Sequence, residues 1–282
     1  MKKVHLLPNA VTAFGLSCGL FVIFKLNMTP IGGASMQVLT QTAGILLLAA
    51  IADLLDGGIA RAMNAESEFG GFFDSMADAV TFGVAPSVIV LKSFSVEPGT
   101  ELSFFLTISV MVFSLCGVLR LVRFSVSAQT AKGSEDLLSA HKKNFVGLPI
   151  PGAAAAAVSL NLFLASDLFN SLFSLTDELR ASLLVFVMIS LGYLMVCRWK
   201  FPSLKTLRLK VFSFQQVFFI VLIAVVIFYG IMYHFATVFF IFSWGYIALA
   251  MTLSLIRLIS GKRSKTLEDF EPAPDDIEFT DQ

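Results

Sequence analysis

The sequence has little charge. Charged residues make up 14% of its 282 positions, hydrophobic residues make up 56%, and the formal net charge is zero. Ordinary soluble domains carry about 25% charged residues, so this composition, with a mean hydropathy of +0.82, excludes a typical soluble protein. A net charge of zero also provides no bulk attraction to nucleic acid, and no nucleic-acid partner is expected.

Cysteine and histidine are scarce as well, with three residues of each type. The cysteines lie singly in apolar runs and lack the spacing of metal ligands, while the histidines fall at separate loops or ends of apolar runs. We therefore interpret the cysteines as small buried hydrophobes and assign no functional role to the histidines.

Long apolar runs, in contrast, are abundant. Eight of them are long enough to cross a hydrocarbon core of about 30 Å as helices. They lie near residues 9–27, 38–62, 71–93, 103–125, 149–166, 179–197, 211–232 and 236–258. The fifth run is short and rich in alanine, which makes it the weakest candidate for a membrane span. The pattern predicts an all-α, polytopic membrane helical bundle of about eight transmembrane helices.

Lysine and arginine concentrate in alternate connections between these runs. Because basic connections are favoured on the cytoplasmic side, we expect the N- and C-termini to be cytoplasmic. We divide the chain into a six-helix membrane core at 1–200, a C-terminal transmembrane helix pair at 201–260 and a tail at 261–282. The tail is acidic and lacks periodicity, so we expect it to be disordered.

The acidic residues within the apolar runs are confined to one stretch. Asp53 and Asp56 are three residues apart and share one helical face, and Asp74 and Asp78 are four apart and share another. A polar bend at 64–68 would fold the second helix back, so that the two acidic faces meet. By the basic-connection pattern, this hairpin opens to the cytoplasm.

A carboxylate at membrane depth costs roughly 2.5–3.5 kcal/mol on insertion scales, so four of them together indicate a functional site. Converging acids repel one another unless cations lie between them, and hard oxygen ligands of this kind suit Mg²⁺ or Mn²⁺. The alternative, acids that merely reach water from helix ends, explains neither their spacing nor the glycines around them.

The acidic stretch follows the pattern D-x-x-D-G-x-x-A-R-x8-G-x3-D-x3-D, with Gly57, Ala60, Arg61 and Gly70 at the other fixed positions. This pattern resembles the signature of the CDP-alcohol phosphotransferases, which transfer a substituted phosphate from a CDP-activated donor to an alcohol and release CMP. Four further stretches resemble the membrane-integral phosphatidylserine synthases of bacteria and archaea: LPNAVT, FDSMADAVTFGVAPS, LRLVRF and FVGLPIPGAAA.

The resemblance implies two divalent cations, Mg²⁺ or Mn²⁺. It assigns Asp53, Asp56 and Asp74 to the first ion, and Asp53, Asp74 and Asp78 to the second. It also makes Asp78 the general base that takes the proton of the serine hydroxyl. Metal ions suit such a reaction because the pyrophosphate charge of the donor must be neutralised before an alcohol attacks phosphorus.

The resemblance further implies a CDP-lipid site formed by Pro8, Asn9, Gly57, Arg61 and Ser67. Gly57 lacks a side chain and lets the nucleotide approach the helix backbone, and Arg61 offers a planar fork to a phosphate. The implied partners are CDP-diacylglycerol, L-serine and membrane lipid in the cell's inner (cytoplasmic) membrane. A homodimer is compatible with the same resemblance.

The acceptor pocket is less closely defined by the residues. Arg120 and Arg123 are three apart on one face of the fourth run, and either could hold a carboxylate, or both could be positive-inside anchors. Lys142 and Lys143 could bind acidic lipid head groups or be solvated. The acceptor itself stays open between serine, which the resemblance favours, and glycerol 3-phosphate, which would give phosphatidylglycerophosphate.

Two other classes of protein fit the residues less well. Ion-coupled transporters also carry intramembrane acids, but they typically contain inverted repeats and broken helices, and no repeat is visible in this sequence. A scaffold without catalytic activity gives no reason for eight matching motif positions. The residues therefore favour an enzyme.

Overall fold

The computed structural model describes residues 6–63, 67–131, 145–197, 200–201 and 230–260. A π-helical segment, Ala79–Val84, joins α3 to α4 without a break, and the two-residue strands β1 and β2 pair antiparallel. In chain order the elements are α1 Leu6–Asn27, α2 Met36–Ala62, α3 Glu68–Asp78, α4 Ala85–Ser93, α5 Glu101–Ala131, β1 Phe145–Val146, α6 Ile150–Ala165, α7 Asp167–Leu172, α8 Asp177–Val196, β2 Lys200–Phe201 and α9 Phe235–Ser260.

Six helical segments among the described residues are long and apolar enough to cross a membrane, so the prediction of an all-helical membrane protein is confirmed. The fifth predicted run forms α6, which has 16 residues and is shorter than these spans. The seventh run and the basic residues Lys142 and Lys143 lie wholly or mostly outside the described residues, as does the acidic tail. The count of eight helices therefore stays a prediction. The six spans are Leu7–Asn27, Met36–Ala62, Glu68–Ser93, Glu101–Val126, Asp177–Val196 and Phe235–Thr252.

Helix α6 lies at the centre of the bundle. Most of its residues are buried, and Ala153, Ala156 and Ala157 have no exposed surface. Small residues let helix backbones approach closely where lipid provides no hydrophobic driving force between helices, and α6 contacts α2, α4, α8 and α9. This short run is a buried helix because other helices surround it.

Helix α1 packs against α2, α3, the π-helical segment and α4. The close approach occurs at Gly19, where an added Cβ atom would lie 2.8 Å from the Cα atom of Thr81. One turn away, the Thr81 hydroxyl donates a hydrogen bond to the Gly15 carbonyl oxygen at 3.5 Å. These contacts hold α1 directly against the C-terminal end of α3.

The π-helical segment begins immediately after Asp78. The backbone carbonyl oxygen of Gly83, within this segment, accepts hydrogen bonds from the hydroxyls of Ser87 at 3.2 Å and Ser114 at 2.9 Å. These side chains provide polar partners inside an apolar bundle, where an unsatisfied carbonyl would be costly. Single π-helical turns frequently lie at functional sites, and this one orients the chain directly behind an aspartate of the acidic stretch.

Candidate active site

The four aspartates predicted from the sequence line a single pocket. Helix α2 carries Asp53 and Asp56, helix α3 carries Asp74 and Asp78, and helix α1 supplies the third wall. The pocket is partly open, and its empty volume of about 210 Å³ includes space that is continuous with solvent. The sequence prediction that the two acidic faces meet across the hairpin is therefore correct. The remaining lining residues are Thr12, Gly15, Leu16, Ala49, Ala77, Thr81 and Phe82.

Three of the carboxylates are close enough to share an ion. One oxygen from each of Asp53, Asp56 and Asp74 lies within 4.8 Å of the others. Asp56 is only 5% exposed, whereas Asp53 and Asp74 are partly buried. Asp78 lines the same pocket one helical turn beyond Asp74, but it is not part of this group of three.

The pocket holds little positive charge of its own. No lysine or arginine in the described part of the chain lies within 4 Å of these four carboxylates, and Asp53 and Asp74 have no hydrogen-bond partner there. Clustered oxygen donors without a matching base fit a hard divalent cation. The residues present therefore fit the metal site that the sequence predicts.

Thr12 is a site residue that the sequence analysis missed. Its buried hydroxyl donates to Oδ2 of Asp56 at 2.5 Å and also lies 3.1 Å from the Pro8 carbonyl oxygen. A hydrogen bond of this kind orients a carboxylate and leaves its second oxygen available for another ligand. A signal was present, because Thr12 closes the LPNAVT stretch that contains Pro8 and Asn9.

The residues predicted to bind the CDP-lipid lie on three different helices. Arg61 is exposed and folds back along α2, so that a Cβ atom added at Gly57 would lie 3.4 Å from its Nη1 atom. Ser67 is the N-cap of α3 and accepts a hydrogen bond from the Gly70 amide at 3.0 Å. Asn9 of α1 also reaches this point, with Oδ1 3.3 Å from an added Gly70 Cβ atom. The N-termini of α1 and α3 thus meet beside the acidic hairpin.

The structure separates the two arginines predicted for the acceptor pocket. Arg120 is partly buried, interacts electrostatically with Asp78, and has an Nε atom without a hydrogen-bond partner among the described residues. Arg123 is exposed, and its Nη1 atom donates to the Val196 carbonyl oxygen at 3.5 Å. Only Arg120 is therefore close to the aspartate pocket.

Tyr246 is a second residue that the sequence analysis missed. It lies on α9, is partly buried, and interacts electrostatically with Arg120. No local pattern in the sequence could have indicated it, because Tyr246 lies 126 positions after Arg120.

Comparison with known proteins identifies the chemistry of this arrangement. The family model described as CDP-alcohol phosphatidyltransferase matches residues 5–190, which include all four aspartates.

Three of the curated relatives that the chain matches bear the name CDP-diacylglycerol–serine O-phosphatidyltransferase. The protein of Helicobacter pylori strain 26695 is 31% identical over 220 residues, covering 77% of this chain and 81% of the relative. The protein of Bacillus subtilis is 33% identical over 202 residues, covering 72% and 93%. That of Methanocaldococcus jannaschii is 32% identical over 168 residues, covering 60% and 67%. A family match over most of the chain, on the residues that form the acidic pocket, means that this chain belongs to the CDP-alcohol phosphatidyltransferase family.

Proposed function

We propose that this protein is a phosphatidylserine synthase, which transfers the phosphatidyl group of CDP-diacylglycerol to the hydroxyl of L-serine and releases CMP. The observation that carries the proposal is the pocket in which Asp53, Asp56, Asp74 and Asp78 converge from two helices. Support for serine as the acceptor comes from the curated relatives, which are named for that reaction.

The four aspartates would hold two divalent cations, Mg²⁺ or Mn²⁺. Asp53, Asp56 and Asp74 would bind the first, and Asp53, Asp74 and Asp78 would bind the second. When bound, the ions neutralise the negative charge of the donor's pyrophosphate, which otherwise repels an incoming oxygen nucleophile. The protein's contribution is to hold its carboxylates in place, and the Thr12 hydroxyl does this for Asp56.

Asp78 acts as the general base. The serine hydroxyl oxygen forms a bond to phosphorus while its proton passes to the Asp78 carboxylate, and the bond from phosphorus to the CMP oxygen breaks. A carboxylate that shares a metal is a weak base, so position contributes more than basicity. The adjoining π-helical segment and the contact of Thr81 with α1 support that position.

The CDP-lipid lies over the hairpin formed by α2 and α3. Gly57 leaves the surface of α2 open to the nucleotide, and Arg61, which lies against that glycine, offers its guanidinium to a phosphate. Pro8, Asn9 and Ser67 line the same site where α1 meets the start of α3.

Arg120 is the better candidate for binding the serine carboxylate. It interacts electrostatically with Asp78, and its Nε atom, buried without a partner among the described residues, is a hydrogen-bond donor that a ligand could satisfy. Arg123 is exposed and contacts the end of α8, which suits a membrane-edge anchor.

The membrane arrangement is part of the same proposal. Residues 1–200 form the catalytic core, 201–260 a helix pair and 261–282 a cytoplasmic tail, which gives eight helices with both termini in the cytoplasm. The pocket then opens to the cytoplasmic side of the inner membrane, where the nucleotide is released. Homodimer formation belongs to the proposal as well, and crosslinking in native membranes would test it.

A single assay tests the reaction and the metal together. Purified protein is given CDP-diacylglycerol with Mn²⁺ or Mg²⁺, and CMP release is followed with L-serine, glycerol 3-phosphate or inositol phosphate as the acceptor. We expect serine-dependent release that EDTA abolishes and that either metal restores. Full activity in EDTA would contradict the metal site. Release of CMP with glycerol 3-phosphate but not with serine would identify glycerol 3-phosphate as the acceptor.

The order of events is tested by isotope exchange. Direct attack by serine within a ternary complex predicts no exchange of labelled CMP into CDP-diacylglycerol when serine is absent. Exchange without serine would indicate a covalent phosphatidyl-enzyme intermediate instead of direct attack.

A further inference from the structure

Helix α9 runs antiparallel to the central helix α6 and is held there by specific contacts. The rings of Phe240 and Phe163 stack with centroids 4.6 Å apart, and Nε1 of Trp244 donates to the Ala156 carbonyl oxygen at 3.2 Å. Further along α9, Cε1 of Tyr246 lies 3.6 Å from the position of a Cβ atom added at Gly152. Tyr246 therefore reaches the first turn of α6.

Arg120 belongs to α5, a helix that also meets the first turn of α6. Ile150, the first residue of α6, has its Cδ1 atom 2.7 Å from a Cβ atom added at Gly117. Arg120 follows Gly117 by three residues, so it lies one turn along the same face of α5. Tyr246 and Arg120 are thus both placed near the start of α6, and the two side chains interact electrostatically.

Both side chains keep hydrogen-bonding capacity at this point. The Arg120 Nε atom has no partner among the described residues, and the Tyr246 hydroxyl has none in that part of the chain either. A guanidinium and a phenol hydroxyl can both donate hydrogen bonds, and a carboxylate is an acceptor with two oxygens. A carboxylate would therefore satisfy both groups at once, with a charge-assisted bond to the arginine.

We infer that Tyr246 is a specificity-determining residue that binds the carboxylate of the acceptor amino acid together with Arg120. The inference rests on the proposed function, because it assumes that the acceptor is serine. It assigns to the last helix, which lies beyond residues 5–190 of the family match, a direct part in choosing the acceptor. An acceptor without an anionic group at this position gains nothing from the pair.

The test uses the full-length protein with the change Tyr246→Phe, which keeps the ring against Gly152 and removes only the hydroxyl. We expect KM for L-serine to rise about tenfold, the effect of losing one hydrogen bond to a charged group. The KM for CDP-diacylglycerol and kcat should change little. Preference for L-serine over L-serinamide, which lacks the carboxylate, should fall by a similar factor.

Tyr193→Phe is the matched control, because Tyr193 is 67% exposed on α8. This variant should keep the serine KM of the parent protein. An unchanged serine KM in Tyr246→Phe overturns the inference. So does an equal rise in KM for serine and for serinamide, because a packing role would affect both. If the parent protein releases no CMP with serine but does so with glycerol 3-phosphate, the proposed function fails first, and the two failures are distinguished.

Discussion

Helix α6 and the aspartate pocket are two parts of one bundle with opposite surroundings, close apolar packing in the first and clustered like charges in the second. Around α6, alanines without exposed surface bring α2, α4, α8 and α9 close together, and no charged residue lies on that helix. In the pocket, four carboxylates line a partly open space and have few hydrogen-bond partners in the described part of the chain. Contact between helices stabilises the region around α6, whereas the carboxylates of the pocket repel one another.

We therefore expect the packing around α6 to determine stability and the aspartate pocket to determine catalytic turnover. Close packing of small residues stabilises the centre of the bundle through van der Waals contact. The acidic groups contribute nothing comparable, since like charges at short range are unfavourable without a counter-ion. Changes in the pocket should therefore alter turnover with little loss of stability, and changes in the packing should alter stability first.

Asp78→Asn should have the largest effect on turnover. Loss of the proposed general base and proposed metal ligand should lower kcat about a thousandfold or more, while binding of CDP-diacylglycerol is largely kept. The melting temperature in detergent should not fall, because the substitution removes a charge from a like-charged cluster. Rates of CMP release and thermal unfolding curves measure the two effects.

Glu101→Gln serves as the control for Asp78→Asn. Glu101 is an exposed acid in the first turn of α5, away from the pocket, and its replacement should leave turnover unchanged. Near-normal turnover in Asp78→Asn would remove this residue from the mechanism. A large drop in its melting temperature would break the contrast between the pocket and the packed core.

Arg120→Ala should have the next largest effect. A charge-assisted hydrogen bond is worth roughly 1.5–3 kcal/mol, so its loss should raise the serine KM by about 10- to 150-fold, with little change in KM for CDP-diacylglycerol. Arg123→Ala is the comparison, and its serine KM should stay near that of the parent protein because this arginine is exposed. The opposite ranking of the two variants would move the acceptor pocket to the edge of the bundle.

Thr12→Val should have a smaller effect, confined to the metal. Removal of the hydroxyl leaves Asp56 without the hydrogen bond that orients it, and the loss of such a partner should weaken the apparent affinity for Mn²⁺ roughly tenfold. Titration of CMP release with Mn²⁺ measures this shift, and excess metal should restore most of the rate.

Thr42→Val is the control for the change at Thr12. Thr42 is also buried, but its hydroxyl bonds to the Val38 and Leu39 carbonyl oxygens of its own helix. Thr42→Val should leave the dependence of CMP release on Mn²⁺ unaltered. A fall in maximal rate at Thr12 with no shift in the Mn²⁺ titration would argue against the orienting role.

Gly19→Ala should have the smallest effect, mainly on stability. The added methyl group would lie 2.8 Å from the Thr81 Cα atom, so α1 must shift away from the segment that follows Asp78. Overpacking of this kind costs about 1–3 kcal/mol, which should lower the melting temperature by a few degrees and reduce turnover severalfold. Gly44→Ala meets no atom within 4 Å and should be neutral. Equal behaviour of the two variants would show that the α1 contact does not support the pocket.

Several features of the fold and the site could be predicted without coordinates. Hydropathy located the apolar segments, and helical spacing placed Asp53 with Asp56 and Asp74 with Asp78. The same reasoning rightly made the fifth run the weakest span candidate, but it could not show the burial of α6, because that burial depends on neighbouring helices. It also treated residues 71–93 as one regular helix, whereas the π-helical segment interrupts it after Asp78.

The sequence by itself determined the membrane class and the acidic hairpin, since hydropathy and helical period are local properties of the chain. Tertiary structure decided which side chains meet across helices. Thr12 donates a hydrogen bond to Asp56 across 44 positions. Arg120 interacts electrostatically with Asp78 on another helix, and with Tyr246 on α9. Such contacts depend on how each helix is rotated and where it crosses its neighbours, and these are set by the packing of the whole bundle.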